Sequence, residues 1–192
     1  MGDSIDNPLA LDRQHFATAI KKAAEVYQCD HFIVVGRGSL SVSMPDAPDV
    51  MRTTGDIVLF STFDQTRVDA WAAADPSVGA GSEFFDQHGF YIQRVGEWTL
   101  MDQPEGWQDR AIKLNLEGID VLVLHSLDLA YNKLEAGRDK DIEFIAEGLR
   151  CEVYQLDIIE DYIRKGAKED CRLDMMLTNL QRARKLAGGE PA

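Results

Sequence analysis

Residues 31–39 read HFIVVGRGS, an aliphatic run that ends at two closely spaced glycines and a serine. A short apolar run that stops at a glycine-rich turn is typical of a buried strand that leads into a tight turn. The pattern therefore predicts a strand over residues 31–35 and a turn over residues 36–39. Ser39, at the end of the turn, is a residue type that can cap a short helix.

The segments on either side of this strand have the patterns of an α/β protein. Residues 11–27 carry apolar residues on one face, as in an amphipathic helix, and residues 56–60 read DIVLF, as in a second buried strand. Residues 111–116 and 119–124 are two more strand candidates around a turn. We expect a sheet flanked by helices, followed by helices that begin near residues 126, 139, 156 and 168.

Two further predictions concern the middle of the chain. A helix is expected from about residue 65 to residue 74, where the periodicity is again helical. Residues 90–95 and 98–101 are separated by Gly96 and Glu97, and this pattern is compatible with a hairpin.

Length and composition indicate an ordinary folded protein. The chain has 192 residues, of which 45% are hydrophobic and 28% are charged, and this size fits one domain or one domain with a helical appendage. No apolar run approaches the roughly 18 residues that span a bilayer, and the N-terminal residues lack the pattern of a signal peptide. We therefore expect a cytoplasmic protein that does not enter membranes.

Charge and cysteine content exclude several classes of function. The formal net charge of -13 disfavours non-specific binding to bulk DNA or RNA, which depends on lysine and arginine, but permits a local basic pocket for one nucleotide or one RNA end. Cys29, Cys151 and Cys171 are widely separated and form no CxxC pair. They indicate reduced thiols and neither a disulfide framework nor a zinc site.

The glycine-rich turn is the first candidate for a binding site. Gly36 and Gly38 would let the backbone approach a phosphate closely, and a helix that starts after Ser39 would offer N–H groups to an anion. The turn does not have the P-loop or GxGxxG spacing. The alternative interpretation is a strand-to-helix turn that needs glycine for its geometry alone.

Asp56, at the start of the second predicted strand, is the second candidate. A carboxylate at this position could bind Mg²⁺ as a hard oxygen ligand that also contacts substrate phosphates. It could equally be the aspartate of a turn or a cap. Two-metal phosphoryl chemistry normally uses paired carboxylates, whereas the residues two positions away are Thr54 and Val58.

A third candidate is the charged corner at residues 133–141, which reads KLEAGRDKD. Lys133, Arg138 and Lys140 could contact phosphate through point-charge and fork-shaped interactions. The alternative is a solvated corner between two helices, held together by salt bridges.

Taken in order, these segments resemble a bacterial branch of the polymerase-β-like nucleotidyltransferase superfamily. Members of this branch include uncharacterised proteins and components of toxin and abortive-infection systems. The similar segments are residues 32–39, 53–60 and 104–107 and, most distinctively, residues 127–141. The resemblance extends over residues 30–150.

The resemblance implies a nucleotidyltransferase-like mixed sheet flanked by helices over residues 1–150, with a helical extension over residues 151–192 packed on it. In this superfamily a Gly-Ser turn holds the nucleoside triphosphate. Two acids spaced Asp-x-Asp/Glu on the next strand, with a third acid on another strand, hold two Mg²⁺ ions.

Carried over to this chain, the resemblance assigns phosphate contact to Gly36, Gly38 and Ser39, and the catalytic metal ligand to Asp56. It places Lys133, Arg138 and Lys140 near the phosphates or makes them structural ties. The sequence departs from the superfamily at the partner of Asp56, because neither Thr54 nor Val58 is an acid. Glu97 and Asp102 are the candidates for the third acid.

Two functions are compatible with this sequence. The first is Mg²⁺-dependent transfer of a nucleoside monophosphate from a nucleoside triphosphate to a protein, an RNA or a small acceptor. The second is a catalytically degenerate relative that acts as a nucleotide-binding or protein-interaction module, such as a toxin–antitoxin or defence partner.

Overall fold

The computed structural model of the chain describes residues 8–61 and 67–188, apart from the side chains of Ser61, Glu97 and Trp98. The chain groups into two compact units, one of residues 1–99 and 111–124 and the other of residues 100–110 and 125–192. The domain boundary at residue 150 stays a prediction, because compactness alone does not show which part of a chain folds independently.

A mixed sheet forms the centre of the first unit. The strands among the described residues are β1 (Leu9–Ala10), β2 (His31–Val35), β3 (Thr53–Thr54), β4 (Asp56–Ser61), β5 (Tyr91–Arg94), β6 (Ile112–Leu116) and β7 (Ile119–Val123). Five of them form one sheet in the order β5-β4-β2-β7-β6, and β1 pairs with β3 separately. β2 is parallel to β7 and β4 is parallel to β5, whereas the β2–β4 and β6–β7 pairs are antiparallel.

Helix packing on one face of this sheet creates the core of the first unit. Asp12 begins the first helix, α1, by accepting hydrogen bonds from the backbone N–H groups of Gln14 and His15. Side chains alternate between the two faces of a strand, so every second residue of β2 and β4 points to the face that carries this helix. These residues and the apolar face of α1 form one buried cluster. The helices of this unit are α1 (Arg13–Tyr27), α2 (Leu40–Ser43), α3 (Asp49–Arg52), α4 (Val68–Ala74) and α5 (Glu83–His88).

The second unit is helical. Its helices are α6 (Trp107–Arg110), α7 (Ser126–Ala136), α8 (Asp139–Arg150), α9 (Leu156–Gly166) and α10 (Asp170–Leu186). Ile142 and Ile145 of α8 and Met176 and Leu180 of α10 are buried, as their helical spacing requires. Across residues 8–61 and 67–188, no helix is both long and apolar enough to cross a membrane.

The predicted fold class is confirmed: a mixed sheet flanked by helices is followed by a helical C-terminal region. The predicted hairpin is wrong. β5 pairs in parallel with β4, and a 3-10 helix over Glu97–Leu100 replaces the second arm of the hairpin. Of the helix predicted over residues 65–74, the part from Val68 is present as α4, and its first residues lie outside the described part of the chain.

Candidate functional site at the edge of the sheet

The turn after β2 and the start of β4 lie at the same edge of the sheet. β2 and β4 run antiparallel with Val35 paired to Val58, so the chain leaves β2 where β4 begins. A Cβ added at Gly38 would lie 3.2 Å from the backbone oxygen of Asp56. The fold therefore brings together Gly36, Gly38, Ser39 and Asp56.

Both glycines of the turn are required by its geometry. Gly36 has a φ of +69°, a left-handed conformation that side chains disfavour, and a Cβ added there would lie 3.2 Å from Val58 Cγ2. A Cβ on Gly38 would also lie 3.2 Å from Ile57 Cγ1. The geometry of the turn is thus sufficient to explain both glycines. The same geometry also permits the turn backbone to approach an anion closely.

Serine hydroxyl groups stabilise this turn from inside. Ser39 is fully buried, and its Oγ donates a hydrogen bond to the backbone oxygen of Gly36 at 2.8 Å. Ser41 Oγ donates in the same way to the backbone oxygen of Gly38 at 2.7 Å. Ser39 does not cap α2 through its side chain, because its hydroxyl is directed back to the turn.

Thr54 orients the carboxylate of Asp56. Thr54 Oγ1 donates a hydrogen bond to Asp56 Oδ1 at 2.7 Å, and the aspartate is partly exposed. A cation lies near these residues, since Arg37 Nη1 donates to the backbone oxygen of Thr53 at 2.8 Å. An oriented, partly exposed carboxylate is compatible with binding a metal–phosphate group.

Tyr91 is the neighbour of Asp56 on the adjacent strand. The two residues are paired in the parallel β4–β5 ladder, so their side chains lie on the same face of the sheet. Partial burial raises the pKa of the Tyr91 hydroxyl, and the negative charge of Asp56 raises it further. The aspartate thus lies close enough to affect the tyrosine electrostatically.

The positions beside Asp56 hold no second acid. Val58 follows on the same face of β4, and Gln93 is paired to Val58 on β5. In the described part of the chain, no three His, Cys, Asp or Glu side chains are grouped so that they could hold a metal ion. These residues do not fit a two-ion centre, but one carboxylate can hold a single Mg²⁺ together with substrate phosphates.

The structure describes the ion-pair partners of one candidate for the third acid, Asp102. Asp102 belongs to the second unit, where it forms an ion pair with Arg172 at 2.8 Å. Arg172 also contacts Glu135 at 2.6 Å, and burial and then the charge of Asp102 raise the pKa of Glu135. The side chain of Glu97 lies outside the described part of the chain.

Lys133 and Arg138 bind a buried carboxylate in the second unit. Lys133 Nζ lies 2.7 Å from Asp141 Oδ1, and Arg138 Nε lies 2.5 Å from Asp141 Oδ2. Burial alone would raise the pKa of Asp141, but the hydrogen bonds from Arg138 and Lys133 outweigh it and lower the pKa. Lys140 is exposed to solvent. The geometry supports the interpretation of Lys133 and Arg138 as structural ties.

A family model described as a nucleotidyltransferase of unknown function, DUF6036, matches residues 13–185 of the chain. The chain belongs to this family. No curated protein and no solved structure matches it. The DUF6036 match covers both the glycine-rich edge and the charged corner, and it confirms the nucleotidyltransferase-like resemblance at the level of the family.

Sequence reasoning missed several polar residues of this DUF6036 protein. Thr54 was identifiable in principle, because a threonine two residues before an aspartate can place its hydroxyl within hydrogen-bonding distance of the carboxylate. The aromatic pair Phe90–Tyr91 is interpreted from sequence as core rather than as a base-stacking surface, and the position of Tyr91 beside Asp56 depends on pairing with a distant strand. Asp128 is fully buried; Arg110 Nη2 donates to its Oδ1 at 2.8 Å, and the Tyr162 hydroxyl donates to the same oxygen at 2.5 Å.

Proposed function

We propose that this DUF6036 protein binds a nucleoside triphosphate at the sheet edge formed by Gly36, Gly38 and Asp56. One Mg²⁺ would be held between Asp56 and the phosphates. In this proposal the protein is a nucleotide-binding module, and two-metal nucleotidyl transfer is absent or very slow. The observation that carries the proposal is the single oriented carboxylate at an edge where the neighbouring positions are Val58, Tyr91 and Gln93.

Nucleotide binding is supported by the chemistry of the turn and its surroundings. The glycines leave no side chain between the turn backbone and β4, and the guanidinium of Arg37 is bonded to the backbone oxygen of Thr53, three residues before Asp56. Mg²⁺ typically uses one or two protein carboxylates and takes its remaining ligands from water and phosphates. A single aspartate is therefore sufficient for Mg²⁺-dependent binding of a triphosphate.

Efficient transfer requires more than this edge offers. In two-metal catalysis, one ion stabilises the attacking oxygen and the other stabilises the leaving oxygen. Val58 and Thr54 occupy the two positions at which the superfamily pattern would place the acid paired with Asp56, and neither is a carboxylate. In the second unit, Lys133 and Arg138 serve in this proposal as ties to Asp141 and not as phosphate ligands.

Calorimetric titration with each of the four nucleoside triphosphates, with and without Mg²⁺, tests the proposal. We expect the wild type to bind a triphosphate more tightly with Mg²⁺, and Asp56→Asn to abolish the effect of Mg²⁺. Asp69→Asn, a change of an exposed acid on α4, is the matched control and should behave as the wild type. Absence of binding to any triphosphate would refute the proposal.

A transfer assay separates the two functions that the sequence allows. Wild type is incubated with triphosphates labelled in the α-phosphate, together with itself and with RNA as acceptors. We expect no label transfer above that of Asp56→Asn. Transfer that disappears in Asp56→Asn would instead establish the enzyme. The role as a toxin–antitoxin or defence partner stays a prediction.

A further inference from the structure

The aromatic residues of α5 and β5 divide between the core and the surface. Phe84 and Phe90 are buried, with ring centroids 5.4 Å apart in an edge-to-face arrangement. Phe85 and Tyr91, which follow them in sequence, are only partly buried, and their rings form a second edge-to-face pair at 6.3 Å. The core therefore accounts for the first pair and leaves the second accessible to a ligand.

The accessible pair lies at the candidate nucleotide site. Tyr91 is the register partner of Asp56, and neighbouring strands are about 4.8 Å apart. The backbone N–H of Tyr91 donates to the carbonyl of Gly55 at 3.0 Å, which fixes the position of the tyrosine beside β4. An aromatic ring is thus held one strand away from the carboxylate that would hold Mg²⁺ and phosphates.

This side of the site is open within the sheet. β5 is the last strand in the order β5-β4-β2-β7-β6, so among residues 8–61 and 67–188 no further strand of the sheet lies beyond Tyr91. A ligand anchored at Asp56 through its phosphates can extend over this edge without displacing a strand. Every nucleobase has a π-face, and stacking on an aromatic side chain is a common means of binding bases.

We propose that Phe85 and Tyr91 form the base-binding surface of the site and that the preferred ligands are purine nucleoside triphosphates. This inference rests on the proposed function, because it assumes that Asp56 holds the phosphates. Tyr91 supplies the ring face for stacking, and Phe85 supports the tyrosine through the edge-to-face contact. Purines are favoured because their two fused rings cover more of an aromatic surface than a pyrimidine does.

The test compares a nucleotide with its phosphate portion alone. Affinities of the full chain for Mg²⁺–ATP, Mg²⁺–CTP and Mg²⁺–tripolyphosphate are measured by calorimetry for the wild type, Tyr91→Ala and Tyr91→Phe. We expect wild type to bind ATP more tightly than CTP, and CTP more tightly than tripolyphosphate. Tyr91→Ala should lower ATP affinity about tenfold and leave tripolyphosphate affinity unchanged, whereas Tyr91→Phe should retain ATP affinity.

The tripolyphosphate measurement also shows whether the variant is folded at the site. If Tyr91→Ala does not fold, Tyr91→Leu replaces it, since leucine keeps much of the apolar volume without a π-face. An equal loss of ATP and tripolyphosphate affinity, or no loss of either, would overturn the base-binding role. Wild type that binds tripolyphosphate as tightly as ATP would also overturn it and leave the phosphate site intact. Wild type that binds none of these ligands would refute the proposed function itself.

Discussion

The side chain of Val58 lies against Gly36, so that a Cβ added to the glycine would stand 3.2 Å from Val58 Cγ2. The glycine-rich turn and the hydrophobic residue that follows Asp56 are therefore packed together. This contact explains why the turn needs glycine at its first position. It also shows that Val58, one of the two positions at which a second acid was considered, contributes instead to the packing of the turn.

Gly36→Ala should destabilise the protein by about 2–3 kcal/mol, because strain at a positive φ is added to the contact with Val58. Gly118→Ala is the matched control. Gly118 also has a positive φ, but nothing lies within 4 Å of a Cβ added there. The expected loss of unfolding free energy in Gly118→Ala is therefore only about 1 kcal/mol. Urea denaturation measures both. Equal losses in the two variants would show that the contact with Val58 has no effect.

Val58→Asp should create a tighter divalent-ion site, because it places a second carboxylate on the same face of β4 as Asp56. We expect the affinity for Mn²⁺, measured by electron paramagnetic resonance, to rise about tenfold. Val58→Asn has the same shape without the charge and should leave the affinity near that of the wild type. A similar gain in both variants would contradict the explanation by charge.

Thr54→Val should weaken Mg²⁺-dependent triphosphate binding about tenfold, because the carboxylate of Asp56 loses the hydroxyl that orients it. Thr53→Val is the control, since the hydroxyl of Thr53 donates to the backbone oxygen of Asp49 and not to Asp56. Calorimetry with and without Mg²⁺ measures the effect. Equal weakening in the two variants would show that Thr54 has no specific role.

Asp141→Asn should destabilise the protein by about 1–3 kcal/mol, because it removes the buried charge to which Lys133 and Arg138 both donate hydrogen bonds. Lys140→Ala, a change of an exposed lysine in the same corner, should alter stability by less than about 0.5 kcal/mol. Chemical denaturation at neutral pH measures both changes. A small effect of Asp141→Asn would refute the role of this carboxylate as a structural tie.

The stabilisation of the folded state by Asp141 should be retained at neutral pH and lost at acidic pH. The hydrogen bonds from Arg138 and Lys133 hold its pKa below the ordinary value of 3.8, despite the opposing effect of burial. A lowered carboxyl pKa contributes stability that is complete above the unfolded pKa and is lost as the pH falls through the folded pKa. The difference in unfolding free energy between wild type and Asp141→Asn should therefore be constant from pH 7 to about pH 5 and narrow below about pH 4. If this free-energy difference already narrows near neutral pH, a titratable group other than Asp141 causes the pH dependence.

Local patterns were sufficient for the elements whose signal lies within their own residues. α1 shows its apolar stripe directly, and β2 shows an uninterrupted aliphatic run before a glycine turn. β5 was misassigned to a hairpin because its partner, β4, lies far earlier in the chain. The choice between a parallel partner and a neighbouring hairpin arm depends on tertiary packing, which a local turn pattern does not report.

For the candidate site, too, the sequence predicted the residues with a local pattern and missed those that depend on tertiary packing. The pattern of a glycine turn followed by an acid on the next strand brought Gly36, Gly38 and Asp56 into one hypothesis, and the antiparallel pairing places them at one edge. Sequence alone favours a core position for Tyr91 over a base-stacking one, because its place beside Asp56 depends on the register between β4 and β5. The sequence placed Asp141 only at the start of a helix, since its burial depends on how α8 packs.

The second unit is assembled from two separate pieces of chain, residues 100–110 and 125–192. Arg110, at the end of the first piece, binds the buried carboxylate of Asp128 in the second. A gene fragment that encodes only residues 125–192 would therefore specify a buried aspartate without Arg110, the guanidinium with which it is paired. A single break in the coding sequence therefore cannot separate the two units without dividing one of them.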